Sequence, residues 1–395
     1  MTPSWKWLTN PETPYTWRFA RRVVLKGVSL FVLANLLFAL LDPMAGIGSL
    51  SLYNWLVPGR PRLPYGENPA QSYNLSLGSL SALFASHELH GTTKAPDEYR
   101  VLLIGDSSVW GVLLNPDQTL AGVINAAQLE TAEGRRVRAY NLGYPVQSLT
   151  KDLLILDYAL RYQPDLVVWL FTPESLAPDV QLSTQLVREN PEPMGTLIRT
   201  YGLKLSETDP AFVTPDFWGK TIIGRRRVLA DWLRLQLYGV SWALTGHDQT
   251  YPRFYEPRME DFGEDVSWHG FTPENLAAAD MPKSLAFEVF EAGIKRVGEI
   301  PLILIHEPTF ISAGLNSDKR YNFFYPRWLM DRFREVMDAQ AKAHLWLYLD
   351  LWDAVPAAEF TDSAVHLTPA GSIQLAERVG KAILEASQIT LSAQR

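Results

Sequence analysis

The sequence predicts an α/β domain, a parallel sheet flanked by helices, with a large insertion and an N-terminal transmembrane helix. Three observations predict it. Short apolar runs alternate with stretches of helical period over residues 99–171 and again over 284–386. The run 166–171 is apolar at every position, as a strand buried on both faces requires. Residues 23–41 are apolar except at Lys26, Ser29 and Asn35, close to the roughly 20 residues a membrane span needs.

The chain has 395 residues, which allows two or three domains or one domain with a large insertion. At 47% hydrophobic and 20% charged it can bury a large core and is not a disordered chain. The net charge of -7 argues against nucleic acid as a partner, because phosphate binding needs clustered Lys and Arg. Beyond the N-terminus the one dense basic run is Arg225-Arg226-Arg227, read as a solvated helix face. The chain contains no cysteine, which excludes disulfides, thiolate metal sites and a cysteine nucleophile.

Residues 1–22 read as a cytoplasmic N-terminus and 23–41 as the membrane helix. Arg18, Arg21 and Arg22 precede the apolar stretch, and Asp42 and Pro43 follow it. That asymmetry expects a single-pass protein of the cell membrane whose remainder is extracytoplasmic, in a periplasm or at the cell surface. A cleaved signal peptide, with Met44-Ala45-Gly46 as its nearest approach to a processing site, and a buried helix of a soluble domain are the competing readings. A second apolar stretch, 229–244, carries Asp231 and Arg234 and reads as an amphipathic surface or lid helix.

Residues 42–98 read as an extended connector, punctuated by Pro58, Gly59, Pro61, Pro64 and Gly66, with a helix expected over 77–89. The domain proper is expected over 99–395. Strands are expected at 99–104, 137–142, 166–171, 302–305 and 345–349. Helices are expected at 120–129, 149–160, 284–297, 327–341 and 370–386. Residues 172–281 interrupt the alternation and are too long for a simple loop. They hold an acidic and aromatic segment around Phe254, Tyr255, Asp261, Phe262, Trp268 and Phe271, read as an inserted lid or partner-binding segment over the site.

In a parallel sheet, ligands bind beyond the carboxyl ends of the strands. The first expected strand ends in Gly105-Asp106-Ser107-Ser108. A serine at a strand-to-helix turn exposes its hydroxyl beside free backbone N–H groups, which can hold an oxyanion; an Asp-Ser helix cap is the plainer alternative. The second strand ends in Asn141-Leu142-Gly143, where a glycine permits positive φ or close backbone approach. Near the C-terminus, Asp362 and His366 lie on a loop just before a helix start at Pro369, placed to act as a general base and its orienting carboxylate. His306 and Glu307 end the fourth strand, and His306 is a candidate pocket residue along with Asp106, Ser108 and Glu174. His87-Glu88-Leu89-His90 lacks the spacing of a zinc site, and no phosphate-binding loop is present.

Gly105-Asp106-Ser107-Ser108, Gly143 and His366 in His-Leu-Thr-Pro-Ala-Gly resemble the first, second and last blocks of the GDSL/SGNH hydrolases over residues 99–172 and 301–388. The resemblance implies a three-layer SGNH-hydrolase-like sandwich. It makes Ser107 the nucleophile, His366 the base, and the N–H groups of Ser107 and Gly143 the oxyanion donors. The family cleaves or transfers acyl esters on small molecules, lipids and polysaccharides, with no cofactor and no metal. Two positions depart from the pattern. The third block's Asn, a further oxyanion donor, is replaced by Glu174, and an ionised carboxylate cannot donate. Asp362 stands four positions before His366 where the family spaces the pair as Asp-x-x-His, Ser363 holding the usual place.

These readings converge on a membrane-anchored extracytoplasmic serine esterase with a Ser-His(-Asp) site. Its expected substrate is an acyl ester, with a cell-envelope glycan or lipid as the candidate carrier. Two alternatives stay open: an O-acyltransferase role beside a membrane-bound O-acyltransferase, and a non-catalytic SGNH-like binding or scaffold subunit of a membrane complex.

Overall fold

A computed structural model describes residues 16–56, 59–65, 79–245 and 261–394. Pro58 and Gly66 of the expected connector, and Phe254 and Tyr255 of the aromatic segment, lie outside the described residues. The chain forms two compact units, residues 1–47 with 215–231, and residues 48–214 with 232–395.

The first unit is built on helix α1, Trp17–Leu41, opened by a Thr16 cap. It is long and apolar enough to cross a membrane. Its apolar side chains from Val23 to Leu41 are largely exposed, so it is not the core helix of a soluble domain. Two polar contacts fix its C-terminal end. Asn35 Oδ1 accepts from the Ile223 N–H at 3.1 Å, and Asp42 pairs with Lys220 at 2.9 Å.

The second unit holds a five-stranded, wholly parallel sheet of β1 (Glu98–Ile104), β2 (Arg136–Asn141), β3 (Leu166–Phe171), β4 (Leu302–His306) and β5 (Leu347–Asp350), in the order β2-β1-β3-β4-β5. Side chains alternate strictly across it. Leu102, Ile104, Val167, Trp169, Phe171, Leu302 and Leu304 enter one core, and Val101, Leu103, Val168, Leu170, Ile303 and Ile305 enter the other. The first core is closed by α4 (Leu149–Ala159), α7 (Phe287–Val297) and α8 (Arg327–His344). The second is closed by α3 (Leu120–Ala126) and α9 (Pro369–Gln394). This is the three-layer α/β fold that the alternation predicts. The expected β5 start at residue 345 is displaced, because α8 runs on to His344 and Leu345 caps it at φ 57°.

Part of the expected connector is structural core. Arg60 and Arg62 are buried, Arg62 bridges Asn141 beside β2, and Leu63 joins the first core. The insertion also contributes to that core. Helix α5 (Pro191–Tyr201) buries Met194, Leu197 and Ile198, and Trp268, Leu276 and Met281 are buried with them. Helix α6, Arg226–Thr245, buries Leu235 and Gln236 and leaves Leu233, Leu237 and Leu244 exposed.

Candidate active site

Strand β1 is the switch point of the sheet, with β2 on one side and β3 on the other. The crevice at its carboxyl end is where such sheets bind ligands. The chain leaves β1 through Gly105 and enters the four-residue helix α2, Ser107–Trp110, capped by Asp106 Oδ1 accepting from the Ser108 N–H at 2.8 Å. Ser107 is the first residue of the turn, and among the described residues its N–H has no acceptor.

Three buried groups hold this turn. Lys151 Nζ donates to Gly105 O at 2.9 Å and Tyr144 O at 2.7 Å, tying the exits of β1 and β2 together, with Asp152 at 2.7 Å. Burial raises the Asp152 carboxyl to about 6 against the pull of Lys151. The Arg62 guanidinium donates to the Gly111 and Leu114 carbonyls at 3.0 and 3.1 Å and lies 4.4 Å from the Trp110 ring. Asn141 Nδ2 donates to Val109 O at 2.8 Å. Sequence reasoning missed these. The available signals were a Lys-Asp pair inside an apolar helical stretch and an arginine in a Pro-rich segment.

The Ser107 hydroxyl lies 2.8 Å from His366 Nε2, and His366 Nδ1 lies 2.8 Å from Asp362 Oδ1. The carboxylate accepts a hydrogen bond from the Nδ1–H, which leaves Nε2 to accept from the serine. Burial works against the Asp362 charge, but the hydrogen bond and charge of His366 outweigh it and hold this carboxyl below its ordinary range. The longer Asp-to-His spacing is absorbed by a closed loop. Phe360 bridges Leu367, and the Thr361 N–H donates to His366 O at 2.8 Å, folding residue 362 back toward the ring.

Gly143 is required by close approach and not by positive φ. A Cβ there would lie 2.3 Å from Trp110 N. Its N–H donates to Asn141 Oδ1 at 3.0 Å and so is already engaged. Glu174, at the third-block position, is an acceptor. Its Oε1 accepts from His269 Nε2 at 2.6 Å and its Oε2 from Trp268 Nε1 at 3.0 Å. His269 and Gly270, at φ 47° and 77°, form a two-residue turn closed by the Trp268–Phe271 bridge. Burial lowers the His269 pKa, but Asp179 and Glu174 on its two nitrogens prevail and raise it.

His306, expected at a pocket wall, is instead fully buried. Strand parity sends it to the face of Leu302 and Leu304, where it stacks on Phe171 at 5.8 Å and meets Asp350 at 3.1 Å. The next residue takes the expected place. Glu307 is buried and accepts from the Ser108 hydroxyl, and burial, together with the Asp106 charge, pushes its carboxyl well above the ordinary range. Gln147 Nε2 donates to Thr172 Oγ1 at 3.3 Å. The preceding Val146 has φ 77°, a strained conformation for a β-branched residue. Among the described residues no group of three or more His, Asp or Glu is placed to hold a metal ion.

No family model matches the chain, and no curated protein is similar enough to match. Solved structures are similar at low identity. A protein assigned to the G-D-S-L lipolytic family from Desulfitobacterium hafniense is 13% identical, with 72% of this chain and 99% of that one covered, at a TM-score of 0.32. A carbohydrate acetylesterase from Sinorhizobium meliloti is 10% identical, covering 73% and 99%, at 0.33. A catalytic mutant of an acetylxylan esterase from Geobacillus stearothermophilus is 15% identical, covering 74% and 95%, at 0.30. The parallel sheet flanked by helices is the architecture that the resemblance of its block motifs to the GDSL/SGNH hydrolases implies.

Proposed function

We propose that this chain is a membrane-anchored serine esterase acting on acyl esters of a cell-envelope glycan or lipid. The observation that carries the reading is the continuous Ser107–His366–Asp362 contact at the carboxyl end of β1. Ser107 Oγ attacks the ester carbonyl carbon as its proton passes to His366 Nε2. The tetrahedral intermediate collapses, the carbonyl–oxygen bond to the alcohol breaks, and His366 returns the proton to the departing alkoxide. Water, deprotonated by His366, then attacks the acyl-serine, and His366 returns that proton to Ser107 Oγ as the acyl–oxygen bond breaks and the acid leaves. A hydroxyl acceptor in place of water would make the same site a transferase. Asp362 orients the imidazole and stabilises its charged form.

The oxyanion needs donors. The Ser107 N–H is one. We assign the second to Gln147. Its carboxamide comes from the segment after β2 and meets Thr172, the first residue past β3, while β1 lies between those two strands. A contact joining the two flanking exits runs beside the end of the strand that carries Ser107. The amide has a further N–H beyond the one given to Thr172, so Gln147 takes the part that Glu174 cannot.

The commitment of Glu174 to His269 and of the Gly143 N–H to Asn141 favours the rival reading, a non-catalytic binding subunit. Labelling with a fluorophosphonate probe separates the two. The esterase reading expects labelling of the wild type and loss of it in Ser107→Ala and His366→Ala. A folded wild-type protein that resists the probe supports the binding subunit. Release of free acid without an added acceptor distinguishes hydrolysis from transfer.

A further inference from the structure

The first unit contains a segment that neither the catalytic reading nor the anchor explains. Residues 215–231 fold against the C-terminal part of α1 through a series of tight turns. The Gly219 N–H donates to Asp216 Oδ1 at 2.6 Å, and the Arg225 N–H donates to Thr221 O at 2.8 Å. The segment follows α1 downward. Lys220 pairs with Asp42 at the cap of the helix, and the Ile223 N–H reaches Asn35. Asn35 lies seven residues before that cap, about 10 Å along the axis at about 1.5 Å per residue. Asn35 is nearly buried, and its Nδ2 donates to Phe31 O at 2.9 Å. A polar residue inside an apolar helix thus serves to satisfy a backbone N–H from another segment, as a water-free setting demands.

The outward side of this segment is apolar and aromatic. Trp218 is 68% exposed, Ile223 51% and Phe217 41%, with the two aromatic rings in edge contact at 5.4 Å. Arg225, Arg226 and Arg227 follow directly. Aromatic residues at the interface, apolar ones beneath and cations at phosphate level are the chemistry that recognises a phospholipid surface.

We propose that residues 217–227 form a lipid-binding segment seated in the leaflet at the C-terminal end of α1. Trp218, Phe217 and Ile223 enter the acyl region, and the exposed Arg226 and Arg227 reach back to headgroup phosphates along their long stems. The proposal rests on the reading of α1 as a membrane span, and one experiment separates their fates. The chain has no cysteine, so single-cysteine variants of the full chain take one nitroxide each. Trp218→Cys, Val32→Cys and Leu345→Cys are reconstituted in vesicles of phosphatidylethanolamine and phosphatidylglycerol. Accessibility to oxygen and to a water-soluble nickel chelate is then read by electron paramagnetic resonance. Val32 is an exposed residue of α1, and Leu345, 88% exposed, is the aqueous reference. The expected result is oxygen-dominated accessibility at 218 and at 32, with chelate-dominated accessibility at 345. Chelate dominance at 218 with a lipid signal at 32 overturns the lipid-binding segment and leaves the anchor. An aqueous signal at both 32 and 218 overturns the anchor and the segment with it.

Discussion

Gly143→Ala tests the way this site is held. The new Cβ would lie 2.3 Å from Trp110 N and 2.7 Å from Val109 C, where ordinary contact begins near 3.4 Å. The difference, 3.4 − 2.3 = 1.1 Å, is the distance that α2 or the end of β2 must retreat. Neither can do so freely. Asn141 ties β2 to α2, Arg62 holds the carbonyls at the far end of α2, and Lys151 holds Gly105 just before it. A displacement of about 1 Å in a positioned nucleophile costs about 100-fold in rate, equivalent to about 2.7 kcal/mol of barrier. Overpacking of this kind costs about 1–3 kcal/mol of stability, so the domain stays folded. The assay is kcat/KM on p-nitrophenyl acetate with thermal unfolding in parallel, and Ser107→Ala sets the floor. A variant within threefold of wild type, with unchanged Tm, would refute the claim that this contact positions Ser107.

Three further outcomes follow from the same geometry. Gln147→Ala and Gln147→Glu should each lower kcat by about 100-fold or more with KM little changed, the scale of a lost oxyanion donor; a change confined to KM would place Gln147 in substrate binding instead. Asp362→Asn should lower kcat by several orders of magnitude by favouring the wrong imidazole tautomer, and an unaltered pH–rate profile would show that Asp362 does not orient His366. Burial raises the Glu307 carboxyl well above its ordinary value of 4.5 in the fold, whereas in the unfolded chain it ionises at that value, so its burial lowers stability increasingly as pH rises past that point. Glu307→Gln should therefore raise Tm at pH 8 and leave it unchanged near pH 4; an equal loss at both would show that the carboxyl contributes a structural bond the amide cannot replace.

The sheet was legible because parallel strands covered on both faces are apolar without interruption, as in Leu166–Phe171, whose expected and observed bounds agree. Ser107, His366 and Asp362 were legible as loop residues at strand ends, and the structure brings the three into one line of hydrogen bonds. What sequence could not supply were contacts between distant segments. Arg62 lies in a stretch that reads as a linker, and only the fold shows that it covers three carbonyls around Gly111. His306 was misplaced by proximity to a strand end, where the period of two decides the face and hands the site to Glu307. Glu174 was singled out by what it lacks, but its partners Trp268 and His269 sit on a turn of the insertion far along the chain.

The sheet order also sets a timetable for synthesis. When strand β3 is synthesised its neighbour β1 has already been made, but its other neighbour, β4, begins only at Leu302. Until then, a flat apolar strand edge stands open, the kind of surface that pairs with other chains. Ser107 meets His366 across a sequence separation of 259 residues. A nascent or truncated chain therefore carries Ser107 long before His366 can reach it, and the proposed chemistry would wait until the last loop closes over the finished sheet.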